Sequence, residues 1–389
     1  MKFIMENIII GLDAKRIVRN ATGLGSYGRT LVRDLSTLEG LSLRLYAPDA
    51  GRDDLRGQLT EGANLCYCYP DGWQLLGKSY WRTRGMVRQL QHDGVQIYHG
   101  LSGELPIGLR KTGIRSVVTI HDLIFMRHPE WYNGTDVKIY VRKFRHALQE
   151  ADRIVAISEC TRRDICELGD IDPERVELIY QSCAPRFSSL PVGGIPDQMS
   201  MKLIWYVHDS YNLPDRYILS VGSIEERKNA LLAVKALHLL PEDLSLVLVG
   251  HATNYADLVW RYAQENGLGD RVMMLHNVPD DHLPALYRLA EAFVYPSRYE
   301  GFGIPIIEAI SMGLPVVACT GSCLEEAGGP HSIYVSPDDE RAMAAAITRV
   351  LGGMPEREQR IEKSRQYIRR FENTEAAQHF ADLYRSLLL

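Results

Sequence analysis

Short apolar runs alternate along this chain with longer stretches in which apolar residues recur every three or four positions. The runs predict strands near Ile8–Leu12, Ser42–Tyr46, Val95–Tyr98, Ser116–Ile120, Arg153–Ile157 and Val176–Tyr180 in the first half. In the second half they fall near Tyr217–Val221, Ser245–Val249, Val272–Leu275, Ala292–Tyr295 and Val316–Ala318. Apolar, β-branched runs bounded by Gly, Pro or Asp, with helical stretches between them, are the mark of parallel sheets covered on both faces. The pattern lapses between Ser182 and Pro214, where Pro185, Pro191, Gly193, Gly194 and Pro196 cluster. A domain boundary is expected there, with Trp205-Tyr206-Val207 apolar enough to pack on a domain edge. The layout predicted is a first domain over 1–185, a linker over 186–214, a second domain over 215–370 and a terminal helix over 371–389. The fold class is α/β, with two Rossmann-like, doubly wound domains. Ligands of such open sheets sit outside the carboxyl ends of the strands, so two domains with those edges facing a cleft would enclose a substrate.

Composition narrows the function classes. The 389 residues carry 44 Lys+Arg against 49 Asp+Glu, a formal charge of −5, which argues against wholesale binding to nucleic acid. The seven cysteines are scattered and form no CxxC pair, so neither a disulfide framework nor a structural zinc is expected, and a reducing, cytoplasmic setting fits. The start, MKFIMENIII, reads as a first strand rather than a leader peptide. No apolar run approaches the ~18 residues needed to span a bilayer.

The strongest chemical signal is Tyr295-Pro296-Ser297-Arg298-Tyr299-Glu300-Gly301-Phe302-Gly303-Ile304-Pro305-Ile306-Ile307-Glu308. A strand runs into a glycine-bearing loop, and Pro305 suits the first turn of a helix. Free N–H groups at such a helix start attract an anion. Glu300 and Glu308 are carboxylates able to accept from sugar hydroxyls. A second segment, Leu219-Ser220-Val221-Gly222-Ser223-Ile224-Glu225-Glu226-Arg227-Lys228-Asn229, places a basic pair after a glycine turn. Arg227 as a fork and Lys228 as a point charge could clamp a diphosphate. Each feature also has a plain reading, as solvated glutamates or a surface basic pair; their co-occurrence favours a site.

The first of these segments resembles the Glu-x7-Glu signature of the family 4 retaining glycosyltransferases, which adopt the two-domain GT-B fold. The resemblance extends through Gly313-Leu314-Pro315-Val316-Val317-Ala318 and Leu324-Glu325-Glu326. It implies that Glu300 lies beside the donor sugar and that Glu308 contacts the ribose of a sugar nucleotide. Arg227 and Lys228 would meet the diphosphate, Gly301, Phe302 and Gly303 would flank the donor, and the backbone at Val278 would meet the base. The sequence departs from the family where many members carry Arg after the glycine; Ser223 stands there, leaving more of the charge to Arg227 and Lys228. The resemblance also implies a terminal helix packed back on the first domain.

In the first half, Gly23-Leu24-Gly25-Ser26-Tyr27-Gly28 is a literal GxGxxG. In a dinucleotide fold the first glycine follows the strand almost at once, whereas here Asp13 to Thr22 intervene. The family resemblance instead assigns Gly23 and Gly25 to a loop facing donor phosphates. Thr119-Ile120-His121-Asp122-Leu123 ends a strand, so His121 could hydrogen-bond a sugar hydroxyl or stabilise developing charge, with Asp122 orienting the next loop or touching acceptor. His99 is a weaker edge histidine. Ser158 reads as a helix N-cap, Asp280 or Asp281 as the cap of a helix near His282, and Asp170-Ile171-Asp172 as a turn rather than a metal site.

The expected activity is transfer of a sugar from a nucleoside diphosphate to an acceptor hydroxyl without metal or other cofactor, with retention implied by the family alone. The combination of His121-Asp122-Leu123 with Glu226-Arg227-Lys228-Asn229 is similar to bacterial mannosyltransferases of surface-polysaccharide assembly. GDP-mannose is therefore the favoured donor, and a glycan or lipid-linked molecule the expected acceptor. Three other readings stay open: an NAD-dependent dehydrogenase, a non-catalytic sugar-nucleotide-binding protein and a sugar-nucleotide epimerase. Two basic, aromatic-bearing stretches, Lys78–Arg88 and Lys138–His146, are compatible with peripheral contact at the inner face of a membrane.

Overall fold

The structure, a computed structural model, describes residues 7–71, 77–187, 198–371 and 373–389. The start of the chain and Pro191, Gly193, Gly194 and Pro196 of the expected linker lie outside the described residues. The chain divides into two compact units, residues 1–182 with 371–389, and residues 183–370.

In the first unit, strands β1 (Ile8–Asp13), β2 (Leu41–Tyr46), β3 (Leu65–Cys68), β4 (Ile97–Gly100), β5 (Arg115–Ile120), β6 (Arg153–Ala156) and β7 (Val176–Leu178) form one sheet in the order β3-β2-β1-β4-β5-β6-β7. Every pairing in it is parallel. The order reverses between β1 and β4, where Ile10 pairs with Ile97 and Leu12 with His99. The helix over residues 373–386 belongs to this unit. Its Ala377, Phe380, Ala381 and Tyr384 recur at helical spacing and share a core with Ile10, Leu12, Ile17 and Leu35.

In the second unit, β8 (Tyr217–Val221), β9 (Ser245–Val249), β10 (Val272–Leu275), β11 (Ala292–Tyr295), β12 (Val316–Cys319) and β13 (Ile333–Val335) pair in parallel in the order β10-β9-β8-β11-β12-β13. Here the order reverses between β8 and β11, with Phe293 paired to Leu219. Central strands are buried on both faces, which is why they read as apolar runs: β9 and β11 are buried at every position. Both sheets match the expected doubly wound α/β class. The two strands that the apolar pattern does not predict, β3 and β13, are both short edge strands, and most of their side chains are only half-buried.

Within the segment read as linker, Gln198–Tyr211 is a helix of the second unit, and its Val207 is fully buried while Trp205 and Tyr206 are exposed. Asp170 takes a left-handed conformation closing one helix and Asp172 accepts from the amide of Glu174, so this pair shapes a turn as expected. Among the described residues no helix is long and apolar enough to cross a membrane.

The GxGxxG string corrects an expectation. It is no loop: Gly23 opens the helix Gly23–Ser36, and a separate helix, Lys15–Arg19, lies between it and β1. That arrangement leaves no strand–turn–helix for a dinucleotide. The Gly25 amide donates to the carbonyl of Thr22 at 2.9 Å. A Cβ at Gly25 would stand 1.8 Å from the carbonyl oxygen of Asn20, whereas one at Gly23 would meet nothing within 4 Å. Gly25 is thus required by the chain's own close approach. Gly25→Ala is expected to cost about 2–3 kcal/mol in urea denaturation, the range of backbone-displacing overpacking. Gly23→Ala should change stability by less than about 0.5 kcal/mol. Equal effects at the two positions would refute this account of Gly25.

Candidate functional site

At the switch point of the second sheet, the loops leaving β8 and β11 carry the residues singled out from the sequence. Glu300 is 8% exposed and its carboxylate is satisfied from three sides. Ser297 Oγ donates to Oε1 at 2.5 Å, Lys228 Nζ pairs with the same oxygen at 2.6 Å, and an Arg227 amino nitrogen reaches Oε2 at 3.0 Å. Lys228 also donates to the Tyr295 hydroxyl at 2.7 Å. Arg227 donates to the Tyr299 carbonyl at 2.8 Å and pairs with Glu225 at 2.6 Å. Burial works to raise the Glu300 pKa, but Lys228 and Arg227 override it and hold the carboxyl down at about 2. The cluster holds Arg227 and Lys228 against Glu225 and Glu300, so its formal charges cancel.

Local sequence explains how these loops are held. Gly222, at φ 152°, turns the chain where a side chain would be strained. Asn229 adopts a left-handed conformation, and its side-chain amide donates to the carbonyls of Pro296 at 3.2 Å and Pro337 at 2.9 Å. The Arg298 amide donates to the Arg227 carbonyl at 2.9 Å, tying one loop to the other. Cys323 Sγ donates to the carbonyls of Glu300 at 3.1 Å and Phe302 at 2.7 Å. Gly303, at φ 119°, precedes the helix Ile304–Ser311, which has Pro305 in its first turn as expected.

Glu308 lies on that helix, 8% exposed, and accepts from the Tyr287 hydroxyl at 2.9 Å. Burial pushes its carboxyl up to about 7, the Tyr287 bond acting against the rise. Two carboxyls eight residues apart in sequence are therefore shifted in opposite directions, Glu300 down and Glu308 up. Ser223 is half-buried and lines a small cavity with Gly222, Lys228 and Tyr295. Gly301 is half-buried and Phe302 buried beside Glu300. Val278 follows β10, the strand at the far edge of the sheet from β11. The expected cap at Asp280 or Asp281 is not made: the helix Leu283–Leu289 has His282 at its N-cap without a side-chain bond, and Asp280 lies 3.4 Å from Arg186.

The first unit brings His121 and Asp122 to the end of β5, but not as expected. His121 Nε2 is 2.8 Å from the Leu101 carbonyl and Nδ1 is 2.8 Å from the Gln181 amide nitrogen. Both ring nitrogens are thus engaged within the protein. Burial pushes the imidazole down to about 4, so it is neutral at physiological pH. The expected role of His121 as a ring nitrogen for sugar or developing charge does not fit this geometry. Asp122 accepts from the Ile124 amide at 3.2 Å, opening the short helix Ile124–Arg127, the orienting role of its two expected ones. His99 is wholly buried between Tyr384 and Thr119, at 2.7 and 2.8 Å, and is a core residue. Ser158 caps its helix by accepting from the Thr161 amide at 3.0 Å. Sequence reasoning passed over Ser297, Tyr295, Glu225, Gln181 and Tyr27. Ser297 and Tyr295 stood inside the quoted motif, and only their contacts reveal their roles.

Comparison with known proteins agrees with this architecture. Residues 21–182 match the family described as Glycosyltransferase Family 4, and residues 208–367 match Glycosyl transferases group 1. The chain is 31% identical over 260 residues to O-antigen chain mannosyltransferase B of Escherichia coli, a match covering 66% of this chain and 65% of that protein. It is 30% identical over 268 residues to the serotype-specific mannosyltransferase WbdA of Escherichia coli, covering 65% of this chain and 32% of the relative. The matches therefore span less than two thirds of either relative's length. Among solved structures, the sucrose-phosphate synthase of Thermosynechococcus elongatus aligns with a TM-score of 0.78 at 21% identity, covering 98% of this chain and 99% of the other. Anabaena HepE, crystallised with UDP and glucose, aligns at 0.72 and 17% identity, covering 98% and 100%.

The ion-pair cluster makes a stability prediction. Arg227→Met leaves Glu300 with Lys228 as its one remaining cation beside Ser297, and takes Arg227 from Glu225, and should cost about 3 kcal/mol. The sign with pH follows from Glu300, whose ordinary value is 4.5 and whose folded value is about 2. As pH falls the unfolded chain takes up this proton first. The gap between native and variant proteins should be complete at pH 7 and narrow as pH drops from about 4.5 towards 2. Denaturant titrations at several pH values measure it, and a gap independent of pH would exclude this role for Arg227.

Proposed function

This chain belongs to the family 4 glycosyltransferases, and from that premise we propose that it transfers a mannosyl group from GDP-mannose to an acceptor hydroxyl with retention of configuration. The observation that carries the reading is the buried Glu300 held ionised by Lys228 and Arg227 outside the carboxyl ends of β8 and β11. The relatives named as mannosyltransferases support the choice of sugar, and the family resemblance supports retention.

The chemistry follows from which donors remain. A lysine ammonium has three protons and a guanidinium five N–H groups. Among the described residues, Lys228 uses its protons on Glu300 and Tyr295, and Arg227 uses its N–H groups on Glu300, Tyr299 and Glu225. One Lys228 proton and two Arg227 N–H groups are left for a leaving diphosphate. Such fixed donors stabilise charge as it develops without reorganisation. Glu300, saturated by three donors, is poorly placed to form a covalent bond. Its fixed negative charge suits stabilisation of a cationic glycosyl centre while the acceptor attacks on the face the diphosphate leaves. No side chain need be a strong base, because a phosphate oxygen can take the acceptor proton. Glu308, as a carboxylate, would accept from the ribose hydroxyls of the nucleotide.

A calorimetric and hydrolytic panel of GDP-, UDP- and dTDP-sugars tests the donor. GDP-mannose is expected to bind tightest, and equal binding of all three would remove that assignment. Glu300→Gln should lower turnover by roughly 100-fold or more with a much smaller change in GDP affinity. Because Glu308 binds its proton near pH 7 and then accepts less well, GDP affinity should weaken as pH falls from 8 to 6. Glu308→Gln should weaken GDP roughly tenfold at pH 8 and flatten this dependence; an unchanged profile would refute the ribose contact.

A lipid-linked acceptor at the inner face of a membrane fits one further feature of the first unit. On the helix Gly134–Glu150, Lys138, Arg142 and Arg145 share a face and have no acidic partner among the described residues. With Ile107, Val141 and His146 they line an open groove of about 520 Å³. Ile139, Tyr140 and Tyr80 are exposed apolar residues of the same unit. We expect sedimentation with phosphatidylglycerol-containing vesicles, weakened by salt. The triple variant Lys138→Glu, Arg142→Glu, Arg145→Glu should stay in the supernatant; if it sediments equally, this face does not meet the bilayer.

A further inference from the structure

Gln181 lies just beyond β7, in a part of the first unit where the sequence offers no motif. Its side chain is 9% exposed. The hydrogen-bonding around His121 fixes how that side chain is turned, by elimination. The Leu101 carbonyl can only accept, so the His121 Nε2 it meets at 2.8 Å must carry the proton. A neutral imidazole has one N–H, which leaves a lone pair on Nδ1. The group 2.8 Å from Nδ1 must then be a donor, and the only donor of the Gln181 side chain is its NH2. Its carbonyl, Oε1, is accordingly turned away from the imidazole. Among the described residues Oε1 has no hydrogen-bond partner.

The imidazole, in a half-buried residue, is packed on one side. The Tyr27 ring meets it edge-on, with centroids 4.7 Å apart and planes at 84°. The Tyr27 hydroxyl lies 3.3 Å from Thr119 Oγ1, which is 2.8 Å from His99 Nε2, and His99 Nδ1 is 2.7 Å from the Tyr384 hydroxyl. A chain of polar contacts thus runs from the terminal helix to Tyr27, whose ring packs against His121. A residue so braced is suited to hold another group still. It is not suited to turning towards a ligand.

We propose that Gln181 is the ligand-contacting residue here, its Oε1 accepting a hydrogen bond from a sugar hydroxyl, and that His121 is a positioning residue that fixes the amide. The ligand class is a hydroxyl donor, since Oε1 can only accept. This deepens the glycosyl-transfer reading and rests on it for the identity of the ligand, but the orientation of the amide does not.

Two arms separate the inference from the reading. In the first, histidine ¹⁵N spectra of the unliganded protein report His121 directly. The expected result is a neutral ring protonated at Nε2 from pH 8 down to pH 5. Gln181→Glu, which cannot donate when ionised, should raise the titration of His121 by at least one pH unit. A ring protonated at Nδ1, or one that titrates between pH 6 and 7 in the native protein, overturns the inference whatever the enzyme's substrate is. In the second arm, kcat/KM is measured for the donor and its monodeoxy analogues. Loss of one hydroxyl should cost the native enzyme at least tenfold and cost Gln181→Leu less than twofold. Gln181→Met serves as a second variant should Leu not fold. Identical penalties in native and variant enzymes overturn the contact. If the native protein turns over no sugar nucleotide at all, the glycosyl-transfer reading falls, while the spectroscopic arm still decides the orientation of Gln181.

Discussion

A carboxylate removed from water reverts to its neutral form unless its surroundings replace the lost hydration with donors. Glu300 meets that condition through Ser297, Lys228 and Arg227, and much of the second unit's loop structure serves to keep those three in place. Asn229 pins the β8 loop to the carbonyls of Pro296 and Pro337, and Cys323 pins the β11 loop through Glu300 and Phe302. The backbone is fixed first, and the ion pairs then form without each side chain having to search for its partner. Glu308 shows what happens to a carboxyl of equal burial with one hydroxyl donor instead: its proton affinity rises.

The parallel sheet is what brings such distant segments together. Lys228 and Glu300 are far apart in sequence, yet β8 and β11 are neighbours because the strand order reverses there. Loops leaving two adjacent strands at a reversal diverge to opposite sides, and the gap between them is a natural place for a ligand. The first unit repeats the device between β1 and β4. There the residues at the strand ends are differently used: Asp13 pairs with Arg82 at 2.7 Å, Arg82 also pairs with Glu104, and His99 is drawn into the core. The same topology thus yields an ionic cluster in each unit, Arg227 and Lys228 on Glu300 in one and Arg82 on Asp13 and Glu104 in the other, joined in the first unit by a buried histidine.

What could be read from the sequence follows from the same physics. Strands buried on both faces announce themselves as apolar runs, as β9 and β11 do, and the bounds of β8, β9, β10 and β11 coincide with the predicted ones. The edge strands β3 and β13 span only four and three residues, and runs so short do not stand out. The helix Gln198–Tyr211 was hidden by the proline and glycine cluster just before it. At the site, residue types were legible and partners were not. Arg227, Lys228 and Glu300 could be named from motif and spacing, but nothing local says that they would grip one another. For His121, position at a strand end suggested a free imidazole, and the deciding facts are a carbonyl at Leu101 and an amide at Gln181, remote in sequence. Gly25 shows the converse: the motif suggested a phosphate, while the reason for glycine is the carbonyl of Asn20.

The neutrality of the Glu300 cluster bears on how an anionic ligand would be held. Two cations facing two carboxylates attract a diphosphate far less than the same cations alone, since at a few ångströms each carboxylate offsets most of a neighbouring positive charge. Binding must then rest on direction more than on net charge: on N–H groups already aimed, on the open backbone at Gly222, and on the amides at the start of the helix after Gly303. This arrangement has a chemical advantage. A strongly positive pocket would bind substrate and departing diphosphate alike and gain nothing at the barrier, whereas donors fixed in space favour the charge distribution that fits them. A neutral, rigid cluster is thus better matched to accelerating departure of the leaving group than to tight retention of the product.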